Sequence, residues 1–184
     1  GIYEKPWVRL HSTKDYYDMV AILEDYPHIH FTVNLTPVLL LQILDEIKIY
    51  ESGKPVDRCM ELTIKPAENL SVKDKEYILM NFFALNKENL IDPHPRYREL
   101  YEERIIKNGE MDIEATLRNY SVEDFRDLQI WYNLAWFDPS FQKKEVELVT
   151  GKRITVRNLI EKGRGFTENE KREVLDKGIE VMKA

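Results

Sequence analysis

Apolar residues recur along most of this chain at the three- and four-residue spacing of amphipathic helices, and one stretch alternates instead. In that stretch Ile29, Phe31 and Val33 alternate with His30, Thr32 and Asn34, the period of a half-buried strand. The pattern predicts a strand over 29–34 with no evident partner elsewhere in the sequence. A lone strand leaves its backbone N–H and C=O groups unpaired, which is costly once they are buried. The chain therefore reads as part of a larger α/β assembly. Ahead of the strand, Pro6 to His11 reads as a loop. Ser12, with Asp15 three residues on, is an acidic variant of the capping box. Tyr16, Met19, Val20 and Leu23 then share one helix face, and Pro27 prevents continuation past Asp25-Tyr26. After the strand, Thr36 precedes a helix with Pro37 at its first position, where a missing N–H is harmless. Val38, Leu41, Leu44 and Ile47, flanked by Leu40 and Ile43, give it a broad apolar face that ends at Ser52-Gly53-Lys54-Pro55.

From there the pattern is almost entirely helical. Ser71 and Asp74 open a helix carrying Tyr77, Ile78, Phe82 and Leu85. Pro93-His94-Pro95 breaks the chain before a helix over 96–107, which Asn108-Gly109 closes. Ser121 and Asp124 open the helix of Phe125, Leu128, Trp131, Tyr132 and Ala135, which stops at Asp138-Pro139. A short helix over 141–148 and another over 154–162, ended by Gly163, follow. Thr167 and Glu170 form a capping box for a last helix that turns Leu175, Ile179 and Met182 inward. A boundary near residue 55 divides the chain into an α/β opening, 1–55 (loop, helix, strand, helix), and a helical remainder, 56–184.

Composition narrows the function classes. A net charge of -6 argues against a nucleic-acid partner, since affinity for a phosphate backbone comes mainly from Lys and Arg. The single Cys59 excludes an internal disulfide and a multi-cysteine zinc site. No apolar run is long enough to span a bilayer, and no leader is visible. These features fit a cytoplasmic protein that needs no membrane. High charge with three glutamines leans toward a thermophilic source. The chain opens on Gly1 rather than Met, so a longer natural chain is expected.

Several residue groups offer chemistry. Trp7, Arg9 and His11 precede the first helix. Aromatics and histidine in loops on an α/β frame often line sites, but Trp7 can equally anchor on the core while Arg9 pairs with an acid. His28 and His30 share a strand face, yet nothing nearby completes a metal site, so no metal or other cofactor is expected. Asn34 lies at the strand's C-terminal end, where α/β folds build sites; it can bond a polar ligand or turn the chain into the next helix. Trp131 to Pro139 is dense in aromatics beside an amide and a carboxylate, which suits either sugar stacking or a buried aromatic junction. Glu102, Glu103, Glu145, Glu147, Glu168 and Glu170 are abundant acids, but spacing alone places no two across a scissile bond.

Taken together, Pro6-Trp7-Val8-Arg9-Leu10-His11, Lys14 to Met19 and Phe31-Thr32-Val33-Asn34-Leu35-Thr36-Pro37 resemble the N-terminal region of glycoside hydrolase family 57. Leu128 to Trp136 and Lys162 to Thr167 are similar to later parts of the same group, so the resemblance covers nearly the whole chain. That family includes α-amylases, amylopullulanases, glucanotransferases and branching enzymes. The resemblance implies a mostly helical piece of an incomplete seven-stranded β/α barrel. Residues 29–34 would be the second barrel strand and residues from about 55 a helical insertion. It also implies retaining chemistry on α-glucosidic bonds by a Glu nucleophile and an Asp acid/base. The family's opening strand with its His-Gln-Pro motif is expected before Gly1, and the catalytic motifs beyond Ala184. No catalytic residue is therefore carried onto this chain, which is expected to be inactive alone.

Their placement in the chain makes Trp7, His11, Asn34 and Trp136 the candidates for contact with an α-glucan substrate. The expected partners are that glucan, the remainder of the parent barrel and, through the unpaired strand, a second copy of the chain. The competing reading is a non-enzymatic helical module whose free strand adds to a partner's sheet edge.

Overall fold

The computed structural model describes residues 3–184. Eleven α-helices dominate the described residues, and the four strands are two residues each. Three short helical elements form the front of the molecule: α1 (Trp7–Ser12), α2 (Asp15–Asp25) and α3 (Pro37–Glu51). α4 (Arg58–Ile64), α5 (Val72–Asn81), α6 (Pro95–Glu102) and α7 (Ile113–Asn119) surround a central helix α8 (Val122–Leu134). A hairpin of β1 (Ile106–Lys107) and β2 (Glu110–Met111) joins α6 to α7. After α8 come α9 (Pro139–Lys143), a second hairpin of β3 (Val146–Glu147) and β4 (Arg153–Ile154), α10 (Arg157–Lys162) and the long α11 (Glu168–Lys183).

The body forms as its periodicity dictates. α5, α8 and α11 each begin with a complete capping box, Ser71/Asp74, Ser121/Asp124 and Thr167/Glu170, so two orphan N–H groups are satisfied at each start. Gly163 ends α10 at a positive φ of 75°. Nine of the thirteen residues of α8 are buried, among them Phe125, Leu128, Trp131 and Tyr132. Phe82 stacks on Tyr132 with ring centroids 4.1 Å apart, and Phe166 meets Trp131 edge-on. α11 closes the body with Leu175, Ile179 and Met182 inward, as its spacing predicts.

Polar residues inside α8 are compensated, as burial requires. Asp127 accepts from Arg96 Nε at 2.9 Å and from the Phe166 N–H at 3.2 Å. Gln129 accepts from Lys171 Nζ at 3.0 Å and donates to the Lys65 carbonyl at 3.0 Å. The Arg96 guanidinium also reaches Asp124 and Glu99. These are framework contacts that hold α6, α11 and the 65–67 turn on α8.

The front departs from the sequence expectation in four ways. Residues Trp7–Ser12, read as a loop, are helical, and Ser12 is buried inside that helix with its hydroxyl donating to the Val8 carbonyl at 2.7 Å. Ser12 therefore caps nothing, and α2 starts after Lys14 without a side-chain cap. The stretch 29–34 is extended and exposed but pairs with no strand. A strand exists only through a ladder, and no described residue offers one; the Ile29 N–H instead donates to the Tyr26 carbonyl at 2.9 Å. The apolar faces of α2 and α3 are turned outward: α2 buries no residue and α3 only Glu46 and Ile47.

Three corrections fall in the body. Asn108-Gly109 does not close a helix over 96–107; α6 ends at Glu102. Both turn residues have positive φ, 53° and 85°, which makes them the two-residue turn between β1 and β2. The expected short helix over 141–148 is likewise split into α9 and β3, and α10 starts at Arg157 rather than at 154. The fold of the described residues is thus mostly helical, and its two small hairpins build no barrel wall.

Candidate functional site

The site grows from the anchoring of α1. Arg9 is buried, and its Nε donates to Asp57 Oδ2 at 2.9 Å while Nη1 donates to Asn133 Oδ1 at 2.9 Å. Burial works against the guanidinium charge, but Asp57 outweighs it and holds the Arg9 pKa above its ordinary value. Asp57 uses its other oxygen to cap α4 through the Met60 N–H at 2.8 Å. Asn133 passes the network on to Thr63 Oγ1 at 3.1 Å. Arg9 is therefore the structural anchor that pins α1 against α4 and α8; its Nη2, also buried, has no partner among the described residues.

Pinned in this way, α1 presents Trp7 and His11 on its outer side. Thr13 fixes the following turn: its hydroxyl donates to the Trp136 carbonyl at 3.0 Å, and its own carbonyl accepts from the Asp138 N–H at 3.0 Å. The end of α8 is thereby set beside α1. Trp7 lies 6.4 Å from Trp136 between ring centroids, and His11 meets Trp136 edge-on at 5.1 Å. Tyr16, the second residue of α2, stacks on His11 at 6.0 Å with an interplanar angle of 27°. Four aromatic rings from three helical segments thus form one cluster.

Exposure within the cluster is graded. Trp7 is 45% exposed and Trp136 only 6%. His11 and Tyr16 are half-buried. The outer rings form a platform backed by the inner tryptophan. Its polar edge is a His11 Nδ1–Asp15 Oδ2 hydrogen bond, four residues apart along the chain. That contact occupies one ring nitrogen of His11. The buried Trp136 Nε1–H has no acceptor among the described residues. An aromatic cluster flanked by hydrogen-bonding groups can take a ligand with apolar faces and polar rims, such as a pyranose: C–H groups pack on the rings and hydroxyls meet the polar edge.

Of the four residues singled out from the sequence, three come together here: Trp7, His11 and Trp136. Asn34 stands apart in the extended stretch, exposed, with no side-chain hydrogen bond among the described residues. Neither an Asx turn nor a contact with the platform is made by it. Tyr16 and Asp15 were missed as members of the site. The signal was present, because Asp15 follows His11 by four residues, a helical neighbour. Reading 6–11 as a loop concealed that spacing.

The remaining candidates resolve into framework. Glu145 and Glu147 pair with Arg153, Glu170 with Lys162, and Glu168 with Arg126 and Lys171. His28 and His30 are exposed, and no group of three or more metal-ligating side chains gathers among the described residues. Cys59 is buried, and that burial pushes its thiol pKa up, which disfavours the reactive thiolate. No helix among the described residues is long and apolar enough to cross a membrane.

One acid behaves differently. Glu46, on the inner face of α3, is 1% exposed, and its Oε2 has no hydrogen-bond partner among the described residues. Burial raises its pKa to about 7; Arg9 opposes the shift, while Asp57 and Asp45 add to it.

Comparison with known proteins bears on the class of ligand. The sequence model of Glycosyl hydrolase family 57 matches residues 1–180, nearly the whole chain. Neither a curated protein nor a solved structure matches it.

Proposed function

The chain belongs to glycosyl hydrolase family 57, and from that premise we propose that it supplies part of an enzyme acting on α-glucans, by hydrolysis or by transfer. The observation that carries this reading is the Trp7–His11–Tyr16–Trp136 cluster, an aromatic platform with a polar edge. Its role is to hold a glucose ring of the substrate. Asn34, exposed at the end of the extended stretch, is a further substrate contact only once that stretch is ordered by a neighbour.

No residue here is assigned as nucleophile or acid/base. The sequence-flagged acids Glu145, Glu147, Glu168 and Glu170 are engaged in ion pairs. The retaining pair belongs to the remainder of a longer parent. In this reading residues 1–55 are a barrel segment whose stretch 29–34 becomes a strand when flanking strands pair with it. Residues 56–184 are then a helical insertion bordering the cleft.

The test has two arms. Titration of the purified chain with maltose, followed by the fluorescence of Trp7, is expected to give saturable quenching that Trp7→Ala abolishes. Amylose incubated with the same chain is expected to release no reducing ends. Absence of any sugar-dependent change would sink the platform assignment, and measurable turnover would sink the absence of a catalytic pair.

A second reading, a helical module that docks a protein partner, is favoured by one feature. Met19, Val20, Ile22, Ile29, Phe31 and Leu41 all lie exposed on the front. A front of that kind marks an interaction surface. A partner bound without sugar recognition would favour the module. Sugar binding at the platform favours the enzyme.

A further inference from the structure

A small cavity lies where α1, the end of α8 and α11 meet. Arg9, Thr13 and Asn133 give it polar walls, Leu10 and Phe137 apolar ones, and Gly178 of α11 its floor. Its volume of about 10 Å³ is close to the least that admits one water molecule, and nothing larger fits. One wall carries an unmet donor. Arg9 is 5% exposed, with Nε engaged by Asp57 and Nη1 by Asn133. Its Nη2 is buried and has no partner among the described residues. A buried donor on a charged group is costly to leave unpaired, and in folded proteins protein atoms or ordered water normally serve it. The charge itself is already met by Asp57 at 2.9 Å. What Nη2 lacks is an acceptor rather than a counter-ion, so a neutral molecule suffices. Acceptors for that molecule's own protons line the same cavity. Asn133 Oδ1 takes one bond from Arg9 and keeps a lone pair, while its amide protons go to Thr63 Oγ1 and the Gln129 carbonyl. Thr13 shares its hydroxyl proton between the Leu10 and Trp136 carbonyls and keeps its lone pairs.

We propose that this cavity is the binding site of one structural water that stabilises the Arg9 anchor, accepting from Arg9 Nη2 and donating to Asn133 Oδ1 and Thr13 Oγ1. Three hydrogen bonds are the usual complement of a buried water. The water completes the guanidinium's bonding and ties α1 to α8 and, through Thr13, to the turn that holds Trp136. Gly178 is what leaves it room. A methyl group built there meets Thr13 Cγ2 at 3.5 Å and Phe137 Cζ at 3.8 Å, both ordinary contacts. Alanine therefore fits the protein at this position but occupies the water's space. It is also the better residue for a helix interior, so the two effects of the substitution have opposite signs.

The experiment is thermal unfolding of the intact 184-residue chain and its Gly178→Ala variant, beside a crystal structure of the parent chain that resolves ordered water. In a dry cavity alanine raises Tm by about 2–4 °C through helix propensity alone. With the water in place it expels that water and strands Nη2, so Tm is expected to fall by a few degrees. The same substitution in an Arg9→Met, Asp57→Met background separates this loss from a packing fault. No guanidinium remains there to be stranded, and alanine is expected to raise Tm. In the crystal, a water within hydrogen-bond distance of Nη2, lost in Gly178→Ala, is the expected result. A rise of Tm in the parent background overturns the proposal, and equal falls in both backgrounds trace the loss to packing and overturn it as well. So does a crystal structure with no water in the cavity, or with Nη2 paired directly to the Glu46 carboxylate.

Discussion

The front of the molecule, α1 to α3, and its body, α4 to α11, use the same amphipathic alphabet to opposite effect. In the body α5, α8 and α11 carry three complete capping boxes, and their apolar stripes are buried. In the front neither α2 nor α3 has a side-chain cap, α2 buries nothing, and Leu41 of α3 is 66% exposed. A helix shorter than about 12–15 residues is marginal in water without packing on its apolar face. The body's helices supply that packing to one another. Those of the front leave many of their apolar residues exposed. Leu10 and Ile47, buried in the core, and a small set of polar contacts around α1 and the inner face of α3 tie the front to the body, and the polar contacts are where the comparison can be broken.

The largest effect is expected at the Arg9–Asp57 pair, with side chains 6% and 1% exposed. Asp57→Ala strands a buried guanidinium and uncaps α4 together, and the loss is expected at about 3–5 kcal/mol in chemical denaturation. Arg9→Met strands the carboxylate and costs a similar amount. The double change Arg9→Met, Asp57→Met removes both charges and is expected to recover most of the loss, because an apolar pair of similar volume is often neutral. If the double variant is as unstable as the sum of the singles, the pair does not act as the unit described here.

A smaller effect is expected from Glu46, the other polar group at this junction. Its pKa is raised from an ordinary 4.5 to about 7 in the folded chain, chiefly by burial. Between those values the folded state holds a proton that the unfolded state has released. Stability is therefore full below about pH 4.5 and falls as pH rises through about 7, by no more than about 3 kcal/mol. Arg9 on α1 and Asp57 from the body, with Asp45 beside it on α3, are the charges that set this balance. Glu46→Gln is expected to flatten that slope and to raise stability at pH 8. An unchanged slope in the variant would place the titration elsewhere.

How much of this was legible in the sequence follows the same division. The three capping boxes and the stripes of α5, α8 and α11 were readable because local signals and burial agree there. In the front they do not. Trp7 to His11 is too short to show a helical period, and what makes it a helix is the pinning of Arg9 by Asp57 and Asn133, residues 48 and 124 positions away. Ile29 to Asn34 carries a true strand pattern but lacks the neighbour that turns a pattern into a ladder. Asn108-Gly109 marks a helix end or a hairpin with equal force, and the short span before Met111 decided for the hairpin. The platform was legible as residue types, Trp7, His11 and Trp136. The addition of Tyr16 and Asp15 depended on knowing that α1 is a helix and that Thr13 ties it to the end of α8.

The finest test compares two helix starts directly. Thr167 at the start of α11 accepts the Glu170 N–H, whereas Thr36 at the start of α3 makes no side-chain cap, although both are threonines in extended conformation. Removing a cap that is formed costs about 1 kcal/mol. Thr167→Ala is therefore expected to lower stability by about that amount, and Thr36→Ala by less than about 0.5 kcal/mol, the usual range for an exposed position. The sharper form of the test adds the covering partner. If the front is completed by strands pairing along 29–34, ordering of the turn at Thr36 brings its hydroxyl into use. Thr36→Ala would then weaken association with that partner while leaving the isolated chain untouched. Equal losses from the two substitutions in the isolated chain would show that α3 is already capped and supported as the body is, and the distinction between the two regions would fail.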